Sequence, residues 1–327
     1  MRAGCGDGMI AFGPVPSRRL GRSLGINNIP PKVCTYSCVY CQLGRTDKMK
    51  VERREFFALG DIVEAVSAKV RQVHARGERI DYLTFVPDGE PTLDAHLGQE
   101  ILALRSLGHK IAVISNASLI HLAEVRADLA LADWVSLKID ATDERMWRRI
   151  DRPHRSLRSD ELLEGMLAFA EDYDGRMVTE TMLVSGLNDG SKDLVQLAEF
   201  LGRLKPSVAY LSIPTRPPAE GWVRAPDEAT LHLAHQIVHE RVDRAEFLVG
   251  YEGNAFSATG DTRQDLLSIT AVHPMRADAV EALLHRNGDA WSKVERMLQE
   301  HALVELTYQG ERYYMRRLHP VDDRPVD

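Results

Sequence analysis

Lys110-Ile-Ala-Val-Ile-Ser115 is followed, after one intervening segment, by Trp134-Val-Ser-Leu-Lys-Ile-Asp140. Both runs are short and rich in β-branched residues, as strands are. The segment between them, at 121–131, has apolar residues three and four positions apart, the spacing of a helix with one buried face. Two strands that pair side by side in parallel need a crossover of about a dozen residues, usually a helix. The stretch therefore reads as strand, crossover helix, strand. Its second strand is unusual: with period two, Ser136, Lys138 and Asp140 share one face and Val135, Leu137 and Ile139 the other.

The same unit repeats on both sides. Strands are expected at 24–29, 80–86, 110–115, 134–139, 177–184 and 208–213, with helices at 59–76, 98–107, 121–131, 159–171 and 194–204. Leu59, Ile62, Val63, Val66, Val70 and Val73 mark the buried face of the first helix. Alternation of this kind predicts an α/β fold with a parallel sheet. Six units match three-quarters of an eight-fold barrel, so the expected architecture is a partial (β/α)6 TIM-like barrel. A doubly wound open sheet is the alternative, and strand counting does not separate the two. Beyond Thr215–Pro218 and Pro226 the pattern changes: 250–260 reads as a long loop, 276–286 and 290–301 as helices, and 303–308 with 311–318 as a hairpin turning at Gln309-Gly310. That order predicts a C-terminal winged-helix-like domain. The expected organisation is a basic extension at 1–23, the barrel at 24–255, the winged-helix-like domain at 266–318 and a tail at 319–327.

The chain has 327 residues, 44% of them hydrophobic and 27% charged, the balance of an ordinary folded protein rather than a disordered or fibrous one. No apolar run reaches the roughly 18 residues of a membrane span, and 1–10 lacks a signal-peptide layout. With only four cysteines a disulfide framework is excluded, which points to a reducing, cytoplasmic compartment. The net charge of −7 is unevenly spread: residues 1–54 hold ten basic and three acidic side chains, a net of +7.

Three of the cysteines fall in that basic segment, as Cys34-Thr-Tyr-Ser-Cys38-Val-Tyr-Cys41. Thiolates so close together repel one another unless a metal centre neutralises them. Structural zinc would need a fourth ligand, from Cys5 or a distant histidine. A [4Fe–4S] cluster can take three thiolates from one loop and keep one iron open for chemistry.

The C-x3-C-x2-C spacing, with Tyr40 before the last cysteine and the whole placed just after a strand, resembles the signature of the radical S-adenosylmethionine (SAM) superfamily. The resemblance implies a partial barrel with its site at the C-terminal strand ends, and a cluster on Cys34, Cys38 and Cys41 whose open iron binds SAM through its amino and carboxylate groups. Reduction then cleaves SAM to a 5′-deoxyadenosyl radical that abstracts a substrate hydrogen. Pro87-Asp-Gly-Glu-Pro-Thr92 resembles the family's G-G-E-type motif for the SAM amine, with Gly89 and Glu90 in place and Asp88 where the first glycine stands. Ser115-Asn116-Ala-Ser118 is similar to the T-N-G turn, which puts Asn116 near the ribose. By the same resemblance Tyr40 flanks the adenine, Ser136 the ribose and Lys138 the carboxylate, and Asp140 faces substrate. A Lys138–Asp140 pair is the alternative for the polar row, and Glu180 either touches SAM or braces its neighbours.

Residues 12–25, with Arg18, Arg19 and Arg22, resemble a subgroup of iron–sulfur oxidoreductases grouped with radical SAM wyosine-type tRNA enzymes. The G-E-P-T-L element and Pro214-Thr-Arg216-Pro-Pro218 add to that likeness, which spans roughly 12–255. Arg18, Arg19 and Arg216 are then substrate-binding candidates, against a solvated basic loop for the first two and a salt bridge for the third. Archaeal wyosine synthases carry a second cluster on three further cysteines. Here only Cys5 is left over, which weighs against the wyosine reaction itself.

These features predict a radical SAM enzyme of oxidoreductase or transferase type, with a [4Fe–4S] cluster and SAM as cofactors and a flavodoxin or ferredoxin as electron donor. A tRNA base is the first expectation for substrate, and a peptide or protein docked by the winged helix the second. A winged-helix DNA-binding regulator with a metal- or redox-sensing cysteine loop is the alternative from another class. Against it, residues 266–318 hold seven basic and seven acidic side chains, with Arg316 and Arg317 as a local patch at most. His232, His235 and His239 share a helix face and read as surface residues.

Overall fold

The computed structural model describes residues 9–46, 48–248, 256, 258, 260–272 and 274–317. In chain order these form β1 (Ala11–Ser17), β2 (Gly21–Ile26), β3 (Val33–Cys34), β4 (Lys48–Met49), α1 (Leu59–His74), β5 (Tyr82–Phe85), α2 (Leu97–Leu104), β6 (Lys110–Ser115), α3 (Ala123–Ala130) and β7 (Trp134–Lys138). There follow α4 (Glu144–Ile150), α5 (Ser159–Asp172), β8 (Arg176–Met182), α6 (Ser191–Leu204), β9 (Ala209–Ser212), α7 (Glu228–His239) and β10 (Ala245–Leu248). The chain continues with α8 (Thr262–Val272), β11 (Met275–Arg276), α9 (Ala277–Asn287), α10 (Ser292–Gln299), β12 (Leu303–Tyr308) and β13 (Glu311–Arg316).

Eight strands among the described residues make one open sheet in the order β1-β2-β5-β6-β7-β8-β9-β10. From β2 onward every neighbouring pair is parallel, as crossover helices require. This is the partial TIM-like barrel. It holds more than six units: β10 adds a parallel edge beyond β9, and β1 folds back antiparallel on β2 at the other edge. Residues 11–17, inside the stretch expected to precede the barrel, are therefore part of its sheet. Local signals for both edges were weak, because β10 is four half-buried residues that include Glu246 and follow Asp243-Arg244, and β1 carries Gly13, Pro14 and Pro16.

The wall is built by simple rules. Ile62, Val66, Val70 and Val73 of α1 are buried on the sheet, each contributing about 1.5–3 kcal/mol. Outward strand residues Leu24, Ile26, Leu83, Phe85, Ile111, Val113, Val135 and Leu137 join them in one core. Inside the barrel a smaller apolar cluster of Leu20, Ala112, Trp134, Val178, Val208 and Tyr210 fills the end where the strands begin. Toward the strand ends polar residues replace it: Ser136 on β7, Lys138 opposite Glu180 of β8, and Ser212 on β9. The interior is thus plugged at one end and a polar cup at the other.

The C-terminal elements follow the order helix, strand, helix, helix, strand, strand, and β11, β13 and β12 form an antiparallel sheet. Their core joins Phe256, Leu266, Ile269, Met275, Leu283, Val294, Leu303 and Tyr314. The first helix begins at Thr262, ahead of the expected boundary at 266. Gln309 and Gly310 both have positive φ (51° and 80°), which suits a two-residue hairpin turn. This unit leans on the barrel: Val15 of β1 packs against its core, and the hydroxyls of Tyr308 and Tyr313 donate to the carbonyls of Pro214 (3.0 Å) and Thr215 (3.1 Å). Most of the 250–260 loop, Cys5 and the 319–327 tail lie outside the described residues. His235 is half-buried rather than a plain surface residue, stacked on Phe247 of β10 with ring centroids 5.0 Å apart.

Candidate active site

A cavity of about 360 Å³ opens at the C-terminal ends of the strands, within the usual range for a small-molecule site. One wall is the loop from Val33 to Thr46, closed at its base by the pairing of β3 with β4. Backbone bonds pin that loop to the end of α4: Ser37 N–H donates to the Asp151 carbonyl (3.0 Å) and Val39 N–H to that of Ile150 (2.9 Å). Val39 is buried against Ile150, Val184, Leu187 and Val223. Tyr36 meets Trp147 edge to face at 5.8 Å, and the indole N–H donates to its hydroxyl (3.2 Å).

This pinning turns Cys34, Cys38 and Cys41 toward one cavity. Burial pushes the Cys34 thiol up to about 12, with the charges of Glu90 and Cys41 adding to the effect. Burial, then Asp151 and the other two cysteines, raises Cys38. Cys41 is also raised by burial, against the opposing pull of Lys32. Three half-buried sulfurs that disfavour one another's ionisation match a centre whose positive charge displaces their protons. Among the described residues no three His, Cys, Asp or Glu side chains converge on a point where a single ion would sit. The Asn116 side-chain amide also points at the Cys34 sulfur (3.6 Å), the kind of N–H···S contact that tunes cluster sulfurs.

The opposite lip is Pro87–Glu90. Lys32 N–H donates to the Asp88 carbonyl (2.8 Å) and Glu90 N–H to the Val33 carbonyl (3.2 Å). The two backbones pass so closely that a Cβ on residue 89 would lie 1.8 Å from the Val33 oxygen, so only glycine fits. Glu90 is buried and already accepts four hydrogen bonds. Its Oε1 takes Thr92 N–H (3.1 Å), Thr92 Oγ1 (2.6 Å) and Ser115 Oγ (2.7 Å), and its Oε2 takes Asn116 N–H (2.7 Å). A carboxylate has about four lone-pair sites, two on each oxygen, so Oε2 retains capacity for one more donor. Asn116 is held in turn, its amide donating to Thr35 Oγ1 at 2.7 Å.

The floor is the polar strand row. Glu180 bonds Arg19, sits 3.6 Å from Lys138 Nζ and accepts from Ser212 Oγ (3.3 Å). Burial opposes the Glu180 charge, yet Arg19 and then Lys138 bring its carboxyl down to about 2. Lys138 stays protonated because the attraction of Glu180 and Asp140 outweighs its own burial. Its ammonium lies 4.8 Å above the Tyr40 ring, a cation–π arrangement.

Twelve of the thirteen candidate residues line this cavity: Arg18, Arg19, Cys34, Cys38, Tyr40, Cys41, Gly89, Glu90, Asn116, Ser136, Lys138 and Arg216. Arg216 donates to Gln42 Oε1 of the cysteine loop (2.8 Å). The exception is Asp140. β7 ends at Lys138, and the turn carries Asp140 to the Tyr40 hydroxyl, from which it accepts, and onto Met182 N–H (2.6 Å). In this position it braces Tyr40. Glu180, left ambiguous by sequence, is the ion-pair partner of Lys138.

Sequence reasoning missed three participants. Lys32 lines the cavity and ties its ammonium to the Leu43 carbonyl. Asp151 accepts from Cys38 Sγ (3.3 Å) and its Oδ1 lies 3.1 Å from the Tyr40 hydroxyl, across more than a hundred positions of chain that leave no local signal. Asp88, 3% exposed, lines the cavity with both carboxylate oxygens lacking a hydrogen-bond partner among the described residues. Burial raises Asp88 to about 7 against the opposing charges of Arg316 and Lys32.

A parallel α/β cup carries a three-cysteine loop at its mouth, the donor set of a thiolate-bound metal centre. The radical SAM superfamily model matches residues 28–201, and the chain belongs to that superfamily. A protein of Methanocaldococcus jannaschii, UPF0026 protein MJ1312, is 43% identical over 311 residues, which are 94% of this chain and 96% of that one. A probable dual-specificity RNA methyltransferase RlmN of Shouchella clausii is 24% identical over 190 residues, 55% of this chain and 51% of that one. Among solved structures, TYW1 with a lysine–pyruvate adduct bound has the same fold, with a TM-score of 0.51 over 68% of this chain and 74% of that one at 17% identity. No helix among the described residues is long and apolar enough to cross a membrane.

Proposed function

We propose that this chain binds a [4Fe–4S] cluster on Cys34, Cys38 and Cys41, cleaves SAM reductively there, and uses the product radical to modify an RNA base, a tRNA base first. The carrying observation is that three half-buried cysteines, whose thiolates would repel one another, share one cavity with the polar strand row. When bound, cluster and SAM together supply a 5′-deoxyadenosyl radical able to take a hydrogen atom from substrate.

The protein's own groups would bind and orient. Lys138 has donors to spare beyond its contact with Glu180, and so would meet the SAM carboxylate. Glu90 Oε2 and the backbone at Gly89 face the amine, Ser136 the ribose, and Tyr40 the adenine. Asp140 and Asp151 hold the Tyr40 hydroxyl and so fix its ring, while Asp151 accepts the Cys38 thiol hydrogen before the thiols are deprotonated. Arg18 and Arg216 at the rim would face an anionic part of the substrate, with Arg19 behind them on Glu180. Similarity to an RNA methyltransferase supports an RNA substrate. The C-terminal element order supports a winged-helix-like reading, whose hairpin tyrosines rest on the 214–215 loop. A flavodoxin or ferredoxin would supply the electron in the cytoplasm.

Anaerobic reconstitution followed by iron and sulfide analysis, then dithionite with SAM, tests the reading. Four irons with 5′-deoxyadenosine formation are expected, and each Cys→Ala variant should lose both. Four irons without 5′-deoxyadenosine would refute it, and zinc without labile sulfide would favour a structural site. For the substrate, tRNA from a deletion strain should lack one modified nucleoside. An unchanged profile would move the assignment to a peptide or protein.

A further inference from the structure

The outer face of α4 is not used by the cavity. At 100° per residue Arg145, Arg148 and Arg149 fall within an arc of about 100°, while Trp147 and Ile150 are buried. Arg148, Arg149 and Arg152 line a second hollow, of about 530 Å³, with the 185–187 loop and Trp222. Part of this charge is already spent. Arg148 pairs with Glu144 (2.6 Å), and Arg152 shares Glu220 with Arg45 of the cysteine loop. Arg145 and Arg149 are exposed, and no side-chain hydrogen bond or ion pair joins them to the described residues. Trp222 is 51% exposed, whereas Trp134 and Trp147 are buried. Around it Gly186 and Gly221 leave the surface open, since a Cβ on either would meet nothing within 4 Å.

Unpaired guanidinium groups are fork donors shaped for phosphate oxygens. An exposed indole beside them offers a stacking face for a base, and this pairing of features is how proteins hold single-stranded nucleic acid. An acidic protein surface would satisfy the arginines but would leave the hollow and the indole uncovered. The face also adjoins the reaction site. Ile150, Leu187 and Val223, directly beneath it, pack on Val39 between two of the cysteines, and Glu220 links Arg152 to the cysteine loop.

We propose that α4, the 185–187 loop and Trp222 form an RNA-docking surface. Arg145 and Arg149 pair with strand phosphates, and Trp222 stacks on a base flanking the one delivered to the cavity. This rests on the RNA-substrate reading above.

The test is fluorescence anisotropy of the reconstituted full chain with a labelled, unmodified tRNA transcript at several salt concentrations. Each phosphate contact contributes about 0.7–0.9 to the slope of log affinity against log salt. The double variant Arg145→Glu/Arg149→Glu should therefore bind at least about tenfold more weakly and lose about 1.5 from the slope. Arg145→Lys/Arg149→Lys should keep the slope. Trp222→Ala should weaken binding about 5- to 100-fold with the slope unchanged. Matched reversal at Arg71 and Lys192, exposed on α1 and α6, should change neither.

Parental affinity in the double variant, or equal losses in the matched control, would overturn the proposal. So would unchanged RNA binding with slowed reduction by flavodoxin, which would assign the face to the electron donor. If a deletion strain lacks a tRNA nucleoside and the double variant restores it fully, the docking surface fails while the RNA reading stands. If the parent protein binds tRNA no better than duplex DNA of equal length, both fail.

Discussion

Replacing Gly89 with alanine should cost stability and cluster loading together. A Cβ there would lie 1.8 Å from the Val33 carbonyl oxygen and 2.8 Å from Ile29 Cδ1. The isoleucine tip can rotate away, but a backbone oxygen cannot. The smallest separation real Cβ atoms show is about 3.0 Å, so the two segments must part by roughly 1.2 Å. Two bonds span that gap, Glu90 N–H to Val33 O at 3.2 Å and Lys32 N–H to Asp88 O at 2.8 Å, and both would stretch beyond useful length. Losing them costs about 1–3 kcal/mol, and overpacking a further 1–3 kcal/mol, for a total of about 2–6 kcal/mol. Val33 immediately precedes Cys34, so the displacement reaches the first thiol. Urea denaturation of the metal-free protein measures the first effect, and iron per chain after anaerobic reconstitution the second. Gly60→Ala is the control: residue 60 lies in α1 with nothing within 4 Å of a Cβ, so the same methyl should stabilise by about 0.5–1 kcal/mol. A Gly89→Ala protein within 0.5 kcal/mol of the parent and with full iron would refute the reasoning.

Asp88→Asn should raise stability at pH 8 and lose that advantage near pH 4. A carboxyl raised to about 7 by folding keeps its proton longer in the native state than in the unfolded one, so parental stability falls as pH climbs from about 4 through 7. Denaturant midpoints across that range check the sign, and a parallel pair of curves would contradict it. Glu180→Gln leaves Arg19 and Lys138 as half-buried cations without their shared carboxylate. It should destabilise by about 1.5–3 kcal/mol, the worth of hydrogen bonds to charged groups, read by chemical denaturation at pH 7, and a loss below about 0.5 kcal/mol would refute the pairing. Tyr308→Phe with Tyr313→Phe removes two hydroxyl bonds to the 214–215 loop, so amide exchange there should accelerate while the barrel strands stay protected.

Much of the barrel was legible because its signals are local. The α1 stripe, the apolar strand runs and their spacing follow from 3.6- and two-residue periods, so β6 matches its expected bounds and most other units shift by a few residues at their ends. The edge strands β1 and β10 were not read, because an edge strand is half-buried and its sequence need not alternate cleanly. α4 was passed over as well, although Asp143 caps it by accepting Met146 N–H (2.9 Å). That helix is short, and charges cover all but its buried side.

What the sequence determined by itself was chemistry: three cysteines at a spacing chance rarely produces, a glycine-containing lip, and a strand whose inner face is polar. Residue types and their periods carry that information. Only the tertiary structure decided partnership. Lys138 belongs to Glu180 and not Asp140, because parallel register sets residues 138 and 180 side by side while Asp140 lies past the strand end. Asp151 reaches Cys38, Glu220 reaches Arg45, and the Asp88 carboxylate is left without a hydrogen bond among the described residues, all through chain segments distant in sequence. Burial and pairing depend on where the backbone places a group, and no local pattern encodes that.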